Sequence, residues 1–207
     1  MRCKPWLYPI LALLSLTAHA APTQEFTLAN GLKVVVREDH RAPVAVTQIW
    51  YRVGSSYEPA GKTGMSHALE HMMFKGTDKV PAGEFSRLVA WFGGTDNAFT
   101  TDDYTAYYQV YSSNRVPLAL EMEADRMVNL KMSAESFAQE IRVVMEERRQ
   151  RTDDNPQAQA MERFQALALF TTPHRTPTIG WMQDLQNLTV EDLRSWYRQW
   201  YAPNNAT

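Results

Sequence analysis

The sequence predicts an α+β fold, a largely antiparallel sheet covered by helices, and two observations carry that prediction. Strand-like segments crowd the first half of the chain, whereas helical periodicity dominates the second. Elements segregated in this way, rather than alternating, argue for α+β over a parallel βαβ arrangement. The first strand pair is also joined through Asn30-Gly31, a short-range antiparallel signal.

Each element has a local reason. Phe26–Leu28 and Leu32–Arg37 form a predicted hairpin, because Asn and Gly accept the positive φ that a tight hairpin turn requires. Val44–Val53 is a long strand rich in β-branched and aromatic residues, and Gly54–Gly64 a loop leading into a helix over Thr63–Phe74. A second helix, Pro81–Phe92, is stopped by Gly93-Gly94. Thr95–Thr100 and Tyr104–Tyr111 are strands joined through Thr101-Asp102-Asp103. Helices follow over Val116–Leu130, Ala134–Arg151, Pro156–Leu169 and Val190–Trp200. Ser133 and Thr189 suit N-caps, and Pro156 suits a first helical turn. Tyr201–Thr207 reads as a turn leading into a further strand, so the domain is expected to be truncated before its last strand and to be a fragment of a longer chain.

Bulk properties narrow the function classes. Met1-Arg2-Cys3-Lys4, an apolar run to Ala18 and the site Ala18-His19-Ala20 predict a signal peptide over residues 1–20. The run is too short for a convincing membrane span, so no stable span is expected after cleavage. The one cysteine, Cys3, leaves with this segment, so the exported domain must rely on an ordinary hydrophobic core. Losing Arg2 and Lys4 takes the formal charge from −2 to −4, and there is no basic stripe; nucleic acid is not an expected partner.

The chemistry concentrates in His67-Ala68-Leu69-Glu70-His71. At the helical pitch, His71 lies about 40° round from His67 and Glu70 about 60° to the other side. Met65, Ala68, Leu69 and Met72 occupy the opposite face. Two neutral imidazoles one turn apart can share a Zn²⁺, and a carboxylate beside them that is not a ligand can take a proton from the water the metal activates. The order His-x-x-Glu-His is that of the inverted zinc peptidases. A third ligand must come from elsewhere. In the helix Ala134–Arg151, Glu140 and Glu147 lie about 20° apart on the wheel, between Val143 and Val144. Carboxylates so flanked need a partner or a metal. Glu146-Glu147-Arg148-Arg149 reads equally as a solvated charge run, and Glu146 as a partner for arginines.

Several separated blocks then resemble one family. They are Asn30-Gly31-Leu32, Gly54-Ser55 with Glu58-Pro59, Thr63 through Thr77, Gly93-Gly94 with Asn97-Ala98-Phe99-Thr100 and Thr105-Tyr107, Val143 through Glu147, and Tyr201 through Ala206. Together they resemble the N-terminal domain of the M16 metallopeptidases, the pitrilysin, insulysin and mitochondrial processing peptidase family, with a LuxS/MPP-like fold. The resemblance implies one Zn²⁺ per domain, held by His67, His71 and Glu147, with Glu70 as general base. It implies that Glu140 supports the site without binding the metal. It also implies that Asn97 and Ala98 line the cleft and pair with an extended substrate by β-augmentation, although Asn97 also suits a turn after the glycine pair. Phe74 could contact substrate or sit in the core. His40, His174 and the pair Asp102-Asp103 read as loop and turn residues.

The expected function is a zinc-dependent endopeptidase acting on peptides or unfolded segments, exported and most simply periplasmic, with residues 21–207 as its catalytic domain. The rival is a non-catalytic peptide-binding or scaffold subunit of the same type, which generally lacks one or more motif residues; here all four positions are filled. The family encloses substrate between two related domains. The second is expected in the missing part of the chain or in a partner subunit, and the isolated fragment is expected to bind zinc but cleave poorly.

Overall fold

A computed structural model describes residues 23–207; the expected signal segment lies outside the described residues. Strands β1 (Gln24–Thr27) and β2 (Lys33–Val36) form the antiparallel hairpin, with Gly31 at φ +88° in its turn. Strands β3 (Val44–Tyr51), β4 (Thr95–Thr100) and β5 (Thr105–Ser112) form a second antiparallel sheet in the order β3-β5-β4. β4 is therefore an edge strand. The N–H of Trp50 donates to the carbonyl of Thr207 and that of Lys33 to the carbonyl of Ala206, so residues 206–207 lie between the hairpin and β3.

The helices are α1 (Met65–Met72), α2 (Glu84–Trp91), α3 (Val116–Asn129), α4 (Ala134–Arg148), α5 (Pro156–Ala168), α6 (Met182–Asn187) and α7 (Val190–Trp200). Ser133 and Thr189 each close a reciprocal capping box, and Pro156 opens α5 behind the Asn155 cap. The structure corrects two expectations. The helix expected to run to Arg151 is α-helical only to Arg148 and continues as a π-helical turn, Arg149–Asp153. The six-residue α6 was not expected; one short turn of helix carries too little periodicity to stand out.

One face of the sheet and the helices bury the main core. Ile49, Tyr51 and Tyr107 from the strands meet Met65, Leu69 and Met72 of α1, Val144 of α4, and Leu193 and Trp196 of α7. Each large apolar side chain removed from water there contributes about 1.5–3 kcal/mol. Phe74 belongs to this layer, edge-on to Phe85 at 5.9 Å, and so packs rather than facing the cleft. A second cluster joins α2 and α3 through Phe85, Val89, Tyr111 and Met122.

A buried ion pair links the two clusters. Arg126 donates from Nε to Glu123 Oε2 at 2.7 Å, and its guanidinium lies over the rings of Phe85 (4.3 Å) and Tyr107 (4.4 Å). Gln109 of β5 donates to the same carboxylate. Removing one member of a buried pair strands the other charge, at about 3–5 kcal/mol. Glu123→Gln is expected to lower unfolding stability by that amount in denaturant titrations; a loss below about 1 kcal/mol would show that the aromatic rings alone accommodate Arg126.

Candidate metal centre and cleft

α1 is aimed before its histidines meet anything. Its N-cap, Gly64, has φ +88°, and a Cβ there would sit 2.6 Å from Leu185 Cδ2 and 2.7 Å from the carbonyl of Ile179. Only glycine fits this approach. The first-turn donors are satisfied from outside: Glu58 accepts from Gly64 N and Ser66 N, each at 2.6 Å. Trp196 Nε1 donates to Ser66 Oγ at 3.1 Å and ties the helix to α7. With Met65, Ala68, Leu69 and Met72 all buried, the other face of α1 must turn toward α4 and β4.

There His67, His71 and Glu147 converge. His67 Nε2 lies 3.7 Å from Glu147 Oε1 and His71 Nε2 lies 3.4 Å from Glu147 Oε2. One donor atom from each residue falls within 4.8 Å of the others. A tetrahedral zinc with bonds of about 2.0–2.1 Å sets its ligands about 3.3 Å apart, so the three side chains fit such an ion with little movement. The structure brings Glu147, which the sequence left open between a third donor and part of a solvated run, beside both histidines. Glu146, its neighbour, is exposed and paired with Arg149 at 2.9 Å.

The two histidines sit in opposite electrostatic surroundings. Burial, with repulsion from His71 and Arg151, pushes His67 down to about 3. For His71, burial acts downward but is outweighed by the hydrogen bond to Glu140 and by the nearby carboxylates, so its pKa is raised. Glu140 contacts His71 Nδ1 at 3.0 Å, leaving Nε2 toward Glu147. Burial acts upward on Glu140, but His71 and Lys75 hold it below the ordinary carboxylate range. Glu140 thus contacts Nδ1 of His71 rather than the nitrogen that faces Glu147.

Glu70 stands apart from the three donors. Its Oε2 accepts a 2.5 Å hydrogen bond from Thr100 Oγ1, and burial raises its pKa against the opposing effect of that bond. These residues open into a cleft of about 690 Å³. One wall is β4, from Asn97 to Thr100; another is formed by Arg151 and Thr152 of the π-helical turn with Thr178 and Ile179. Asn97 and Ala98 lie on this wall, and the N–H of Ala98 donates to Asn97 Oδ1 at 2.8 Å. His40 is exposed beside Glu38, and His174 contacts Asp103 at 3.2 Å, both away from the cleft.

Two cleft residues escaped the sequence reading. Thr100 carries no spacing signal, because its bond to Glu70 depends on how β4 packs against α1. Arg151 does carry one: it follows Glu147 by one turn, on the same helical face.

The family model described as Insulinase (Peptidase family M16) matches residues 33–180. The chain belongs to this family. It is 39% identical over 202 residues to a protein of Helicobacter pylori named zinc protease PqqE, an alignment covering 95% of this chain and 46% of that protein. A crystal structure of a protease from Helicobacter pylori superposes with a TM-score of 0.88 at 38% identity, over 91% of this chain and 45% of the other. The periplasmic protease PqqL of Escherichia coli shares the fold, with a TM-score of 0.81 at 23% identity over 89% of this chain and 21% of its own. The chain thus spans about half the length of the curated relative it matches. The α+β architecture expected from the sequence is that of M16 peptidases.

Glu58 gives this geometry a pH signature. Burial raises its pKa to about 7, against the pull of the two backbone donors. An acid whose pKa is higher in the folded than in the unfolded state contributes most at low pH, and that contribution is lost as pH rises from the unfolded to the folded value. The stability of the parent relative to Glu58→Gln should fall by up to about 3 kcal/mol between pH 4.5 and 7. Paired denaturant titrations measure it. A difference that instead grows with pH would show that the α1 cap is held as a strongly favoured anion.

Proposed function

We propose that the complete protein is an exported zinc endopeptidase and that residues 21–207 form its N-terminal catalytic domain. The reading rests on one observation: His67, His71 and Glu147 turn their donors toward one point, with Glu70 beside them at the wall of an open cleft. Family membership and relatives named zinc protease support it.

Bound by the three residues, one Zn²⁺ would supply Lewis acidity and make a water molecule acidic near neutral pH. Glu70 is placed to accept a proton from a water in the cleft and to return it to the nitrogen released when the peptide bond breaks. Thr100 keeps the Glu70 carboxylate turned toward the cleft. Glu140 holds His71 in the tautomer that leaves Nε2 free. An extended substrate lies along the free edge of β4, where its carbonyl replaces Asn97 Oδ1 as acceptor for the Ala98 N–H. Peptides and unfolded segments are the substrates such a groove admits. A second M16-type domain, elsewhere in the chain or on a partner subunit, closes the cleft, so residues 21–207 alone bind zinc but cleave poorly. Periplasmic residence follows from the predicted signal segment and agrees with the description of PqqL. Among the described residues no helix is long and apolar enough to cross a membrane.

Zinc content and peptide cleavage, measured together on the complete natural protein, test this. Glu70→Gln is expected to keep about one zinc while losing about 10²–10⁴-fold in kcat. Glu147→Gln should lose the metal, and Glu140→Gln should weaken metal binding by about 10–100-fold. A parent that binds no zinc, or a Glu70→Gln variant that cleaves like the parent, would overturn the assignment.

A further inference from the structure

Arg151 is the one lysine or arginine lining the cleft among the described residues. It projects from the π-helical turn that prolongs α4, one turn beyond Glu147, and its Nη1 contacts Glu147 Oε1 at 2.7 Å. That single contact occupies a small part of a guanidinium with five N–H donors in a rigid fork. No other hydrogen bond is formed by the side chain among the described residues, and 74% of it is exposed. The other charged groups of the cleft already have partners: Glu70 accepts from Thr100, and Glu147 lies against both histidines. A cation held at the metal centre, with most of its donors free, is suited to a carboxylate entering from solvent, which it can bind through two parallel bonds.

We propose that Arg151 is a specificity-determining residue that selects a peptide carboxylate next to the bond being cleaved. The inference deepens the peptidase reading and rests on it for the identity of the ligand. Because Arg151 touches Glu147, the selected group must lie close to the metal rather than at a distant end of the groove. Because Arg151 stands on the wall formed by the π-helical turn, it leaves the pairing edge of β4 free. The carboxylate belongs to an Asp or Glu side chain flanking the scissile bond, or to the free C-terminus of a short substrate. A lysine or arginine at the same place meets a like charge.

Binding is measured by fluorescence anisotropy on the complete natural protein carrying Glu70→Gln and loaded with zinc, so that affinity is read without turnover. The probes are amidated peptides that differ only in Glu, Gln or Lys, placed in turn at each central position. A further arm uses Gln peptides shortened to end in a free carboxylate. At one central position, or for the free-ended peptides, the carboxylate is expected to bind about tenfold tighter than its neutral counterpart, equivalent to about 1.4 kcal/mol. Arg151→Gln should abolish that preference with zinc content unchanged, Arg151→Lys should keep part of it, and Arg151→Glu should turn it toward Lys. Which arm carries the preference tells a side chain from a chain end. No preference in the parent background, or one that survives Arg151→Gln, overturns the proposal. Absence of cleavage by the natural protein, with the carboxylate preference intact, would sink the peptidase reading and reduce Arg151 to a residue that binds a peptide carboxylate without selecting a cleaved bond.

Discussion

Everything at the candidate metal centre depends on the burial of one face of α1. Met65, Ala68, Leu69 and Met72 are withdrawn from water against strands β3 and β5 and helix α7, and a helix eight residues long cannot rotate without exposing them. Four such side chains contribute several kcal/mol, more than any rearrangement of the polar face could recover. His67, Glu70 and His71 therefore point where the apolar residues do not. The first turn is fixed as firmly, since Gly64 lies against the carbonyl of Ile179 and Glu58 holds its free donors.

A second constraint brings α4 to the same place. Val144 is fully buried, and Phe137 and Ile141 pack in the same core, which turns Glu140 and Glu147 toward α1. Arg148 is buried as well, although its charge would ordinarily keep it at the surface. It donates to Glu162 of α5 at 2.9 Å and to the carbonyl of Gly180 at 2.9 Å. The bond to Gly180 holds the segment carrying Thr178 and Ile179 beside the cleft.

Much of this was legible in the residues. The division of α1 into packing and polar faces followed from period alone, and the hairpin, the caps and the order of strands before helices followed from local chemistry. Glu147 was ambiguous for a physical reason: it lies inside a run of charges, and a helical wheel does not say which neighbouring element covers which face. Nothing in the charge run marks Arg148 as buried, because its partners, Glu162 and Gly180, are 14 and 32 residues away. The π-helical turn and α6 were not legible, since each is set by packing rather than by periodicity. Thr100 belongs with them, because it meets Glu70 only once β4 has taken its place beside α1.

α4 and the π-helical turn that prolongs it carry three charged residues in a row toward the cleft, with three different surroundings. Glu140 is the most enclosed, clamped between His71 and Lys75, where a fixed anion can hold an imidazole in one orientation. Seven residues on, Glu147 is partly open and lies between the two histidines, where a carboxylate can meet a metal without being sealed from it. Four residues further, Arg151 is mostly in solvent, where a side chain can exchange partners at little cost. On the proposed roles, enclosure falls along the helix in the order in which freedom is needed: least for orienting a ligand, more for admitting a metal, most for meeting a peptide. The π-helical turn fits this gradient. It widens the backbone after Arg148, the last residue whose burial fixes α4, so the segment that carries Arg151 is released from the core while Glu147 remains tied to it.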